Sequence, residues 1–78
     1  MLSSQQILDT YYLEARRDLL EIAALLDRYN LALEREDAPA LDENEKLTIL
    51  RRALSQLADT DSSSSTRTAD LLELFATL

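Results

Sequence analysis

From Ser4 to Glu36, apolar residues return at alternating steps of four and three: Leu8, Tyr12, Ala15, Leu19, Ile22, Leu26, Tyr29 and Leu33. This spacing holds them on one side of a long α-helix. Ile7, Tyr11, Ala23 and Leu25 widen the stripe until it covers a little under half of the circumference. Leu13, Leu20, Ala24 and Leu31 fall on a narrow line nearly opposite. One apolar side would complete a core, whereas two call for a partner.

The ends of the elements follow from local chemistry. Ser3 and Gln6 have the spacing of a capping box, in which hydroxyl and amide satisfy free backbone donors at a helix start. Pro39, inside the segment Asp37-Ala38-Pro39-Ala40-Leu41, has no N–H to donate and pushes Ala38 out of helical geometry. Helix one is therefore expected over about residues 4–36. Asp42 with Glu45 forms a second capping box, opening helix two over about residues 43–58. That helix aligns Leu47, Leu50, Leu54 and Leu57 with Ala53 and Ala58. It is expected to fold back antiparallel on helix one, with Leu19, Ile22, Leu26, Leu50, Leu54 and Leu57 at the centre of the core.

A serine-rich polar loop over residues 59–66 ends helix two, because such side chains compete for backbone hydrogen bonds. Thr66 or Thr68 then caps a third helix over about residues 67–77. Asp70 lies in its first turn, and Leu71, Leu74, Phe75 and Leu78 share one side. So short a helix must dock to persist. The pattern predicts an all-α chain of three helices, long, medium and short, forming a single helical domain over residues 1–78.

Composition turns this picture towards self-association. Among 78 residues there is no glycine, no cysteine and one proline, which disfavours strands and rules out a disulfide staple. A chain of this length buries a modest core, and pairing with a second copy is a common remedy. A homodimeric helical bundle is thus expected, and the pattern leaves open whether its copies run parallel or antiparallel. The formal net charge of −7 opposes nucleic-acid phosphates and anionic membrane surfaces alike. No apolar run approaches the ~20 residues of a membrane span, and the start of the chain lacks the charge and apolar core of a secretory signal. We expect a soluble cytoplasmic protein.

Five groups of residues are weighed between functional and structural roles. Leu13, Leu20, Ala24 and Leu31 are the expected dimer interface, since the principal stripe is expected to be covered by helices two and three. Glu14, Asp18 and Glu21 follow one another at steps of four and three and share a ridge. They are weak metal-ligand candidates, because carboxylate metal centres in helical bundles also draw on histidine, and the chain has none. Arg17, three residues after Glu14 and four before Glu21, offers ion pairs instead. A buried Asp18 would reach a tyrosine hydroxyl or Arg51.

The third group is an acidic tip of Glu34, Glu36, Asp37, Asp42, Glu43 and Glu45, opposed only by Arg35 and Lys46. Carboxylates at a helix C-terminus run against the backbone dipole, so a basic partner or a divalent cation is a possible reason for them. The tip lacks the ligand alternation and the turn glycine of a calcium loop. Tyr11, Tyr12 and Tyr29 make up the fourth group and are expected in the core. Ser62 to Ser65 beside Arg67 could accept phosphate, although a serine-rich linker needs no such role.

Enzymatic readings find little support. Without histidine or cysteine there is no nucleophile–imidazole relay, no zinc site of the usual ligands and no customary neutral-pH proton shuttle. Without glycine there is no phosphate-cradling loop. The sequence therefore points to a non-enzymatic protein–protein interaction or assembly module acting as a small acidic helical dimer, with no cofactor. Two alternatives stand beside it. One is a carboxylate metal-binding bundle, and the other is an acidic, antitoxin-like inhibitor of a basic protein.

Overall fold

The computed structural model describes residues 1–36, 44–60 and 65–77. The described residues contain three α-helices and no strand: α1 (Ser4–Arg35), α2 (Glu45–Ala58) and α3 (Arg67–Ala76). The chain divides into two compact units, Met1–Pro39 and Ala40–Leu78.

The first unit is essentially α1, 32 residues long and about 48 Å from end to end at 1.5 Å per residue. Its sequence has no glycine, no proline and no β-branched run to interrupt it. The capping box forms as expected. The Gln6 N–H donates to Ser3 Oγ at 3.1 Å, and the Ser3 N–H donates to Gln6 Oε1 at 2.9 Å. The helix closes one residue before the expected end, with Glu36 as its C-cap in right-handed helical geometry.

The second unit holds α2 and α3 packed on each other. The cap of α2 differs from the expected one, since Asn44 is the N-cap and its side chain accepts the Leu47 N–H at 3.0 Å. The helix therefore begins at Glu45, two residues after the expected start, while Asp42 and the segment around Pro39 lie outside the described residues. At the other end Asp59 leaves helical geometry with ψ 81°. Arg67 Nη2 donates to the Asp59 carbonyl at 2.9 Å. A guanidinium thus sits at the negative end of α2, where cations are favoured, and ties it to the first residue of α3.

The start of α3 is also unlike the expected cap. Thr66 occupies the N-cap position but makes no side-chain cap bond. Its hydroxyl donates to Asp70 Oδ2 at 3.1 Å, and that carboxylate lies in the first turn, where the dipole favours it. Thr77 closes the helix, its hydroxyl donating to the Leu74 carbonyl at 2.7 Å. Residues 61–64 of the serine-rich loop and Leu78 lie outside the described residues.

The core is much smaller than the periodicity predicts. Among the described residues only Ala53 on α2 and Leu74 on α3, 5% and 8% exposed, are buried. Leu50, Leu54 and Leu71 are half-buried, as is Leu26 on α1. Leu19, Ile22 and Leu57 are exposed, contrary to their expected place at the centre, and so are Tyr11 and Tyr12. The reason is geometric: periodicity assigns residues to a face, whereas burial needs a second surface laid against that face.

Candidate functional site

On α1 every residue through Leu25 is exposed, and burial reaches the half-way class only at Leu26, Tyr29, Ala32 and Leu33. The principal stripe therefore faces solvent over most of its length. Leu8 is 65% exposed and Leu19 62%, comparable with Leu20 at 56% on the opposite line. Leu13 and Leu31 are exposed too, with Ala24 beside them. The basis for placing the interface on Leu13, Leu20, Ala24 and Leu31 was a principal stripe covered within the subunit. Exposure sets the two strips on an equal footing, and the wider one carries far more apolar surface.

The acidic ridge does not assemble into a centre. Arg17 Nε and Nη2 donate to the Asp18 carboxylate at 3.3 and 3.2 Å, and both side chains are exposed. Arg17 thus pairs with its neighbour instead of bridging Glu14 and Glu21, and Asp18 is not the buried carboxylate considered above. An exposed pair of this kind contributes little stability, because solvent screens it and two long side chains must be held still. Among the described residues no group of three or more acidic residues is placed to hold a metal ion. Thermal melts with and without a chelator are expected to coincide; a chelator-induced fall of several degrees in Tm would reinstate the metal reading.

The acidic tip is described in part. Glu34, Glu36 and Glu45 are exposed, while Asp37, Asp42 and Glu43 lie outside the described residues. The first turn of α1 contains no acidic residue, and the last turn has Arg35 as its basic residue. With Glu34 and Glu36 flanking Arg35 at its far end and no acidic residue in its first turn, α1 places two of its carboxylates where its own dipole disfavours them and none where the dipole favours them most.

In the second unit a depression of about 520 Å³ opens between α2 and α3, lined by Ser55, Gln56, Leu57, Asp59, Arg67, Asp70 and Leu71. Its charged groups are two carboxylates and the guanidinium that holds the Asp59 carbonyl. That set can take part in hydrogen bonds but offers no activated nucleophile. No helix among the described residues is long and apolar enough to cross a membrane. No protein-family model matches the chain, and comparison with curated proteins and with solved structures yields no match.

Proposed function

We propose that this chain is a non-enzymatic interaction or assembly module that works as a small acidic homodimer joined through α1. The observation that carries the reading is the exposure of the principal stripe from Leu8 through Leu25. A helix in a protein draws most of its stability from packing of its apolar face. This one has that face ready and largely unburied.

Full burial of a leucine or isoleucine side chain contributes about 1.5–3 kcal/mol, and a symmetric interface counts each residue twice. Scaled to their exposures of 65%, 62% and 36%, Leu8, Leu19 and Ile22 would bring roughly 5–10 kcal/mol to a dimer. That is comparable with an association cost of about 4–15 kcal/mol, so the rest of the stripe must contribute as well. The aromatic rings of Tyr11 and Tyr12 add to the favourable side. Excess negative charge keeps such modules from pairing indiscriminately, because like-charged surfaces repel outside the fitted contact.

Light scattering on the full chain tests the proposal. The expected mass at tens of micromolar is that of two copies, falling towards one on dilution. A monomer mass across that range would overturn the reading.

A further inference from the structure

The seam has an internal register that selects its occupant. Written as heptads, Leu8, Ala15, Ile22 and Tyr29 take the d positions, and Tyr12, Leu19, Leu26 and Leu33 take the a positions. Four successive heptads thus carry an unbroken apolar a/d set, the requirement for knobs-into-holes packing against another helix. We infer that the occupant is α1 of a second copy running antiparallel, in the register that sets Leu19 level with the partner's Ile22. This deepens the homodimer reading above and rests on it.

Three observations choose this arrangement over a parallel pair. The first is Glu36, the next d position after Tyr29, whose C-cap geometry continues the helical path. In a parallel pair it would face its own copy across the seam, setting two carboxylates against each other. In the antiparallel register it stands level with the partner's Gln5, an exposed carboxamide on the a row of the first turn. Gln5 Nε2 gives one hydrogen to Asp9 Oδ1 of its own helix at 2.9 Å, which leaves the other to donate across the seam. Charge selects the direction.

The second is the mismatch between charge and dipole at the two ends of α1. A first turn without acidic residues leaves the N-terminal dipole without a compensating charge, and a C-terminal end bearing Glu34 and Glu36 around Arg35 has net negative charge where the dipole disfavours it. Antiparallel pairing lays each acidic end beside the positive N-terminal end of the partner helix, whereas parallel pairing stacks acidic end on acidic end. The third is size. Ala15 stands level with the partner's Leu26, so the smallest seam residue meets a large one instead of another alanine. At the outer layers Leu8 meets the partner's Leu33, and Tyr12 meets the partner's Tyr29. Every a residue finds a d residue, and α1 is used over its full length.

Spin labels read the register directly, because the chain contains no cysteine and single sites can be introduced cleanly. Thr10→Cys and Arg17→Cys, both on the side of α1 away from the seam, are each labelled with a nitroxide in the full chain, and label-to-label distances are measured by pulsed electron resonance. In the inferred register the two labels at residue 10 are offset along the axis by about 32 Å and those at residue 17 by about 10 Å, at 1.5 Å per residue. The distance at residue 10 should therefore be clearly the longer. Equal distances at the two sites would show a parallel pair and overturn the inference while leaving the homodimer intact. A slip by one heptad would change both offsets by about 10 Å and overturn the register. Absence of dipolar modulation at both sites, together with a monomer mass for the labelled chains, would overturn the homodimer reading itself.

Discussion

Leu19→Glu is expected to separate the two copies, weakening association by about a thousandfold, or roughly 4 kcal/mol. Leu19 occupies the middle of the seam and is 62% exposed in the single chain, so the substitution leaves the isolated subunit nearly unaffected. In the antiparallel register it places one carboxylate in each of the two central layers, level with the partner's Ile22, each stripped of water and without a cation opposite. Sedimentation equilibrium of the variant beside the unmodified chain measures the change. Leu20→Glu is the matched control: one residue along, on the opposite line, it is expected to alter association by less than threefold. If Leu20→Glu dissociates the dimer and Leu19→Glu leaves it intact, the interface is the narrow line of Leu13, Leu20 and Leu31, and the seam assignment falls.

Leu74→Ala is expected to unfold much of the α2–α3 unit. Truncating a buried leucine costs about 2–5 kcal/mol, with the lower part of that range where the surroundings can collapse. A unit of this length has little to lose, since about 0.05–0.15 kcal/mol per residue amounts to roughly 2–6 kcal/mol in total. Leu74 and Ala53 are the two buried residues among those described, so no other layer compensates. Urea titration followed by circular dichroism should show the loss. Leu72→Ala, at a strongly exposed position two residues earlier, should stay within about 0.5 kcal/mol. A similarly small effect for Leu74→Ala would mean that the α2–α3 packing is not what holds the unit.

Helix number, order and the first cap are legible from the sequence because they rest on local chemistry. Ser3 with Gln6 forms its box, and α1 runs unbroken for want of any residue to stop it. At α2 the same chemistry points to the wrong residue: the spacing of Asp42 and Glu45 suits a capping box, whereas Asn44 is the cap. Asp42 and Asn44 are both residue types that cap helices, and spacing alone does not rank two candidates two positions apart. At Arg17 a helical surface offered three carboxylates within reach, and exposed ion pairs differ too little in energy for spacing to choose. The stripe on α1 was fully legible as a face. Its covering was not, because an amphipathic pattern records that water must be excluded without recording which surface does so. The same pattern serves a subunit core and an interface between copies.

The gradient of burial along α1, from exposed positions through Leu25 to half-burial at Leu26, Tyr29, Ala32 and Leu33, would make the backbone of the proposed homodimer a gauge of copy number. Helical hydrogen bonds without packed cover open readily, so the segment from Ser4 to Leu25 is, among the described helical residues, open to proteases while it lacks a partner. Seating a second helix closes that segment through mass action. Molecules in excess of their partners would then be trimmed first, and the steady amount of the protein would follow the amount that is assembled.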